Sequence, residues 1–293
     1  MISNINKFNI FVFLIAITIF SGCVSQDESS IAAPPSNASH RINVATTIAP
    51  LGEFVKVVGG EKVDVILVVP PGAEPHTFEP TPSLMMDMAK TDLYVMNGVG
   101  LEFWMDKLLE ANKKMAVVDS SQGVALLQES EDEMDPHIWL SLRNAVVQVN
   151  NICSGLILVD PQNKEYYIKN RDDYLEKLKA LDVELNRTFA GKKNKIFIVH
   201  HPAWTYFAKD YYLSQVALME NEKEPGPKYL GEVIELAKKN NITTIFVEPE
   251  FNPKTAEVIA REMNARIVTI DPLAGNYLEN IRNASLEIAQ SQT

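Results

Sequence analysis

The stretch QNKEYYIKNRDDYLEKLKALDVELNRTFAG, residues 162–191, decides the fold of this chain. It is long and highly charged, and it contains neither proline nor glycine before Gly191. Apolar residues recur in it at spacings of three and four, which predicts one buried stripe along a helix. The stripe consists of Tyr174, Leu178, Leu181, Leu185 and Phe189. At about 1.5 Å per residue, roughly 28 residues reach on the order of 42 Å, enough to run the length of a two-lobed protein.

Short apolar strands alternate with helical segments on both sides of this helix. INVATTI (42–48) and VDVILVV (63–69) are predicted strands before it, and KIFIVHH (195–201) and RIVTIDP (266–272) are predicted strands after it. Such alternation predicts parallel sheets covered by helices on both faces. We therefore expect an α/β fold, in which two parallel-sheet lobes with flanking helices are joined by one long rigid helix.

The predicted organisation has a leader, a tether and three folded parts. The boundaries are residues 1–22 for a signal peptide, 23–40 for a flexible tether, 41–160 for the N-terminal lobe, 161–190 for the connecting helix and 191–293 for the C-terminal lobe. In the leader, Lys7 precedes the apolar run FNIFVFLIAITIF, which is too short to span a bilayer comfortably. An uncleaved membrane-anchor helix is the alternative interpretation.

Cys23 follows Ser21 and Gly22, small residues that resemble a lipoprotein cleavage box, so Cys23 is a candidate for lipidation. The next residues are rich in Ser, Ala and Pro, which is typical of a flexible tether. With Cys23 lipidated, Cys153 has no internal disulfide partner, and its apolar helical context predicts a buried core residue. The formal charge of −11 argues against a nucleic-acid partner.

The chain has five histidines, and three of them fall where α/β proteins build sites. His76 lies in a loop after the second strand, His137 in a loop that leads into a helix, and His201 at the end of the first strand of the second lobe. In parallel sheets, sites form at the carboxyl ends of strands. Side chains alternate along a strand, so His200 is expected to point away from His201. His40 falls in the tether.

The last predicted strand also ends in an acid, Asp271. Three imidazoles and a carboxylate from two lobes would form a tetrahedral Zn²⁺ site, since imidazole nitrogen suits zinc and its neighbours. Each histidine alone could equally be a surface or hydrogen-bonded loop residue.

Several longer stretches resemble motifs of one protein family, and they occur in the same order along the chain as in that family. They are VATTIAPLGEFVKVVGGEKVDVILVVPPGAEPHTFEPTPS, KTDLYVMNGVGLEFW, DPHIWLS, HPAWTYFAKDY, FVEPEFNPKTAEVIARE and TIDPLAG. From residue 42 to the C-terminus the chain resembles the metal-binding solute-binding lipoproteins of zinc/manganese ABC transporters, the ZnuA/TroA-like family. The resemblance implies two α/β lobes bridged by a single rigid helix, with the metal held between them.

The resemblance also implies site residues and partners. It makes His76, His137 and His201 metal ligands, with Asp271 as the candidate fourth ligand, and it excludes His200. It implies a Zn²⁺ receptor, not an enzyme, that is lipid-anchored outside the cytoplasm and delivers the ion to a membrane permease. A monomer is expected. Many zinc-binding members carry a histidine-rich loop before the second ligand, whereas this chain has an acidic one without histidine.

Other acids near these motifs have more than one interpretation. Glu248 and Glu250 could accept hydrogen bonds from imidazole N–H groups, which metal-binding histidines need, or be strand-end carboxylates in solvent. Glu74 is expected to be solvated, and the charged run from Glu129 to Asp135 is typical of a solvated loop.

Three rival functions remain open at this stage. Manganese or iron could replace zinc on the same fold. Three histidines plus a water molecule also form the ligand set of zinc hydrolases, although the chain has no H-E-x-x-H motif. A lipoprotein adhesin could use the fold as a binding surface.

Overall fold

The computed structural model describes residues 41–130, 133–219, 225–252 and 254–292. The predicted signal peptide and tether, with Cys23 and His40, lie outside the described residues. Within the described residues, the predicted two-lobed α/β architecture with one long connecting helix is confirmed.

The first lobe is built on a four-stranded parallel sheet. Its strands are β1 (Ile42–Thr46), β2 (Val63–Leu67), β3 (Leu93–Met96) and β4 (Ala116–Asp119). They lie in the order β2-β1-β3-β4, with Ile42 opposite Val63 and Val44 opposite Leu93. The helices of this lobe are α1 (Ala49–Gly59), α2 (Pro82–Met88), α3 (Met105–Ala111) and α4 (Leu142–Val159).

A single long helix, α5 (Lys164–Phe189), follows a short 3₁₀ turn at Pro161–Asn163. Its 26 residues correspond to about 39 Å at 1.5 Å per residue. All five residues of the predicted apolar stripe are buried, and Tyr167 extends the stripe by two turns toward the N-terminus. The sequence pattern therefore identified both the helix and its buried face.

The second lobe repeats the sheet topology of the first. Its strands are β5 (Ile196–Val199), β6 (Ser214–Ala217), β7 (Thr244–Val247) and β8 (Arg266–Thr269). All pairs are parallel, in the order β6-β5-β7-β8. The helices are α6 (Thr205–Asp210), α7 (Pro227–Lys239), α8 (Lys254–Met263) and α9 (Tyr277–Ser291).

Helix α9 is an element for which the sequence analysis made no prediction. Its buried residues follow helical spacing: Tyr277, Ile281, Ala284, Ser285, Ile288 and Ala289. The stripe contains small and polar members, which weakens the apolar signal, but it packs α9 against α5. The helix matters because Tyr277 at its start reaches the first lobe.

One contiguous hydrophobic cluster joins the two lobes through α5. It contains Val44 and Phe54 from the first lobe, Leu181 from α5, and Phe197 and Ile281 from the second lobe. Close packing of this kind resists large relative displacement, because moving one lobe would open voids in the shared core. The cluster therefore favours small movements of the lobes relative to each other and argues against a wide hinge motion.

Helix α4 is long and apolar enough to cross a bilayer by length and composition, with a mean hydropathy of 1.2. It instead packs in the core against α5, and the hydroxyl of Ser141 caps its first turn by accepting from the Asn144 N–H. Cys153 on this helix is free and only 1% exposed, which confirms the prediction of a buried core residue.

Candidate metal centre

The three candidate ligand histidines lie on loops at the carboxyl ends of strands. His76 lies in a 3₁₀ turn, Pro75–Thr77, that follows β2. His137 directly precedes a second 3₁₀ turn, Ile138–Leu140, which leads into α4. His201 comes two residues after the end of β5 in the opposite lobe. The structure brings all three together, as the sequence predicted for sites on parallel sheets.

The side-chain nitrogens of these histidines face one another. The Nε2 atom of His137 lies 3.3 Å from Nε2 of His76 and 3.1 Å from Nε2 of His201. The potential ligand atoms of all three residues lie within 4.8 Å of each other. Zn–N bonds of about 2.0–2.1 Å at tetrahedral angles place ligand nitrogens about 3.3 Å apart. The two distances from His137 therefore match the spacing of ligands around one tetrahedral ion.

Each ligand histidine is anchored by a carboxylate through its backbone. Backbone N–H groups donate to acid side chains in three pairs: His76 to Glu74 (2.9 Å), His137 to Asp135 (2.8 Å) and His201 to Glu248 (3.3 Å). In the first two pairs the acid stands two residues before the histidine, with a proline between them. This acid-Pro-His spacing is a signal that the sequence analysis did not use. These hydrogen bonds hold the backbone of the three candidate ligands in place.

Asp135 also binds the imidazole of His137, since its Oδ1 lies 2.8 Å from Nδ1. A carboxylate accepts, so Nδ1 carries the proton and the Nε2 lone pair is directed at the other two histidines. The prediction that Asp135 ends a solvated acidic run is wrong, because this residue is only 2% exposed. Its backbone carbonyl accepts from the hydroxyl of Tyr206 in the second lobe, and that long-range contact buries it.

Burial keeps His76 and His201 neutral at neutral pH. Desolvation, followed by the charge of His137, lowers the pKa of His76 to about 3. Desolvation and the same neighbour hold the pKa of His201 well below its usual value. Neutral imidazole is the form that binds metals, so both residues are ready to coordinate an ion at neutral pH.

Acidic side chains surround the histidines and hold protons more tightly than usual. Desolvation raises the pKa of Glu250 to about 7 and raises the pKa of Glu248 well above its ordinary value. Burial also raises the pKa values of Glu74 and Asp271. A dication would reverse this effect, because its charge stabilises the ionised carboxylates.

The space between the histidines suits an ion. A cavity of about 10 Å³ is lined by residues of both lobes, among them the three histidines, Glu74, Trp139, Glu250, Phe251 and Pro272. Such a volume holds a single water molecule or ion and no organic substrate. The His201 ring stacks on Phe251 with centroids 5.0 Å apart, which restricts the imidazole.

The remaining candidate residues occupy different positions around the cavity. Glu248 is 1% exposed and is not a solvent carboxylate, and it contacts the backbone of His201. Glu250 lines the cavity, with Oε2 buried. Asp271 lies outside the three-histidine cluster, and its Oδ1 accepts from the N–H of Leu273 at 2.7 Å. Asp271 directly precedes Pro272, which does line the cavity.

His200 lies outside the cluster. It is 2% exposed, and its ring contacts Phe251 with centroids 5.3 Å apart. Its backbone N–H continues the sheet by donating to the carbonyl of Phe246 at 2.8 Å. The two adjacent histidines thus differ in role, and only His201 faces His76 and His137.

The chain has two α/β lobes joined by one long helix, and histidines from both lobes line a cavity the size of one ion. These are the features of the class of two-lobed metal-binding proteins. The family model described as "Zinc-uptake complex component A periplasmic" matches residues 44–291. The chain belongs to this family.

Individual relatives agree with this assignment. The high-affinity zinc uptake system protein ZnuA of Bacillus subtilis (strain 168) is 35% identical over 270 residues, which cover 85% of this chain and 83% of the relative. The manganese ABC transporter substrate-binding lipoprotein scaA of Streptococcus gordonii is 30% identical over 87% of this chain and 85% of its own length. A crystal structure of ZnuA superposes with a TM-score of 0.85 at 35% identity, covering 86% of this chain and all of that one.

Proposed function

We propose that this protein is an extracytoplasmic, lipid-anchored receptor that binds one Zn²⁺ between its lobes and delivers it to the permease of an ABC transporter. The proposed ligands are His76, His137 and His201, with Asp271 as the carboxylate in the fourth position. The proposed anchor is a lipid on Cys23. Relatives named as uptake-system proteins and lipoproteins support the transport role and the location.

One observation carries the choice of cargo: three imidazole side chains meet at one point, where the Nε2 atom of His137 lies 3.3 and 3.1 Å from those of its two partners. That spacing fits Zn–N bonds, and three neutral nitrogens favour zinc over manganese, which prefers oxygen donors. Three neutral imidazoles and one carboxylate would leave the bound dication with a net charge near +1. The permease would then only need to loosen the site.

We infer that the centre binds and releases its ion without chemistry. Four protein ligands leave no open position on zinc, whereas catalytic zinc keeps one for water or substrate. The cavity of about 10 Å³ offers no room for an organic molecule beside the ion. The site is therefore suited to capture and transport.

A competition experiment tests the proposal. The purified protein is stripped with a chelator and offered equal concentrations of Zn²⁺, Mn²⁺ and Fe²⁺, and the metal content per chain is read by mass spectrometry. His201→Ala is the test variant and His200→Ala its matched control, because the two histidines are adjacent and equally buried. Circular dichroism verifies that both variants are folded.

We expect one zinc per chain in the wild type and in His200→Ala, and little or none in His201→Ala. Preferential retention of manganese or iron would contradict the zinc assignment. Equal zinc content in the two variants would contradict the ligand assignment.

A further inference from the structure

Trp139 links the two lobes beside the metal centre. It stands two residues after His137, its ring centroid lies 5.3 Å from that of His137, and it lines the ion cavity. Its indole Nε1 donates to the carbonyl of Pro272 in the second lobe at 2.8 Å. Its own carbonyl accepts from the hydroxyl of Tyr277 at 2.6 Å. One buried residue of the first lobe thus holds two points of the second lobe.

Those two points enclose the loop that carries Asp271. Pro272 directly follows this acid, and Tyr277 begins α9 six residues after it. Within the loop, the Leu273 N–H donates to the Asp271 carboxylate at 2.7 Å. The side chain of Asn280 donates to the Asp271 carbonyl at 2.6 Å. The loop therefore has its own internal hydrogen bonds, and Trp139 links both of its ends to the first lobe.

A third contact secures the same loop from α1. Glu53 accepts from the backbone N–H of Tyr277 at 2.7 Å and from the hydroxyl of Tyr174 on α5 at 3.0 Å. The ring of Tyr277 also packs edge-on against Phe54 at 4.8 Å. Tyr277 thus keeps contacts with the first lobe that do not depend on the Trp139 indole, whereas at the Asp271 end of the loop the first-lobe contact is the Trp139–Pro272 hydrogen bond.

We propose that Trp139 is a positioning residue, which through its hydrogen bond to Pro272 holds the Asp271 end of this loop against the first-lobe loop that carries His137, so that Asp271 can serve as the fourth metal ligand. This inference rests on the proposed function, since it assumes a metal bound by these residues. The contact joins residues 133 positions apart, so the N-lobe ligand loop and the C-lobe acid would move as one unit. A shift of the second lobe that breaks this bond would withdraw the carboxylate and weaken the binding of the ion.

The inference is tested by a double-mutant cycle on zinc affinity. Trp139→Phe removes the indole N–H and keeps an aromatic ring, and Asp271→Asn removes the charged ligand. Zinc dissociation constants are measured by chelator competition for the wild type, both single variants and the double variant. Trp104→Phe is the matched control, because this indole is also 1% exposed but packs in a separate cluster of the first lobe.

We expect Trp139→Phe to weaken zinc binding about tenfold, the scale typical of residues that orient metal ligands. In the Asp271→Asn background the same substitution should have no further effect, because residues that act through one contact are not additive. Trp104→Phe should leave the affinity unchanged. A general loosening of the fold would instead weaken zinc binding equally in both backgrounds, and that result would overturn the inference.

Two further results keep this test separate from that of the proposed function. If Asp271→Asn leaves zinc affinity unchanged while His201→Ala abolishes binding, the positioning role is wrong and the receptor function stands. If His201→Ala also binds zinc normally, the proposed function itself is wrong. Should Trp139→Phe fail to fold, Trp139→Tyr replaces it, since it also removes the indole N–H and fills more of the space; the same non-additivity is expected.

Discussion

Asp135 holds His137 at two points, because its Oδ1 lies 2.8 Å from both the backbone nitrogen and the ring Nδ1 of that histidine. The first contact fixes the loop and the second fixes the tautomer, so Nε2 is the atom that meets the ion. Since the Nε2 of His137 approaches those of both other histidines, this acid orients the central member of the proposed ligand set.

Replacing this carboxylate should weaken zinc binding without dismantling the lobe. We expect Asp135→Asn to raise the zinc dissociation constant at least about tenfold, because the amide no longer supplies the charge that makes the imidazole a stronger ligand. Chelator competition measures the change. Glu133→Gln in the same loop is the control, since Glu133 is exposed. Equal affinities for the two variants would show that Asp135 does not act on the metal ligand.

The zinc-free protein should lose stability in acid partly through His76. In the unfolded chain this histidine titrates near pH 6.5, whereas burial lowers its pKa to about 3 in the folded state. Between those values the unfolded state binds a proton that the folded state does not, so stability falls as the pH is lowered from 6.5 toward 3. Denaturant unfolding at several pH values measures this slope.

Other groups change the stability with pH in the opposite direction. The contribution of His76 is therefore isolated by comparing the wild type with a variant at this position. Glu102 and Glu250 have pKa values raised to about 7, and their contribution to stability is lost as the pH rises from 4.5 through 7. His76→Gln leaves these acids in place and removes only the histidine. The variant should lose less stability than the wild type between pH 6.5 and 4. Parallel slopes would contradict the lowered pKa of His76.

Metal preference should follow the donor atom at position 201. His201→Glu replaces a neutral nitrogen by a charged oxygen, and oxygen donors favour manganese over zinc relative to imidazole. We expect the ratio of zinc to manganese affinity to fall by at least about tenfold, measured by competition between the two ions. An unchanged ratio would mean that His201 does not contact the metal.

Glu102 should stabilise the loop beside the second ligand. Its Oε1 accepts from the Thr47 hydroxyl and the Asn97 N–H, and its Oε2 accepts from the Gly98 N–H at 3.1 Å. The Asn97 side chain in turn donates to the carbonyl of Pro136, next to His137. Each oxygen therefore faces donors only.

An amide at this position would turn one acceptor into a donor. Glu102→Gln should lower the free energy of unfolding by about 1–3 kcal/mol, the range for a buried polar group that loses its partner. The exposed Glu110→Gln on α3 is the control, and denaturant unfolding is the measurement. A stability equal to that of the control would contradict the role of Glu102 as an acceptor.

The sequence predicted the parts of this protein that depend on local pattern. The stripe from Tyr174 to Phe189 identified the connecting helix because one face of it is uniformly apolar. The position of His76, which follows a strand, indicated a site because carboxyl ends of parallel strands converge.

Contacts between residues far apart in the sequence leave no local pattern from which they could be predicted. The charged neighbours of Asp135 predict a solvated run, whereas the residue is buried and its carbonyl bonds to Tyr206 in the other lobe. The hydrogen bond from Trp139 to Pro272 joins two loops that no local pattern relates. Helix α9 lacked a strong apolar signal, although its first residue holds the Asp271 loop.

X-ray absorption at the zinc edge tests the central claim most directly, because it counts the atoms bound to the ion in the zinc-loaded protein. The account predicts three imidazole nitrogens and one oxygen at about 2.0–2.1 Å, with one imidazole fewer in His201→Ala. A shell with fewer than three imidazoles in the wild type, or a shell unchanged in the variant, would contradict it.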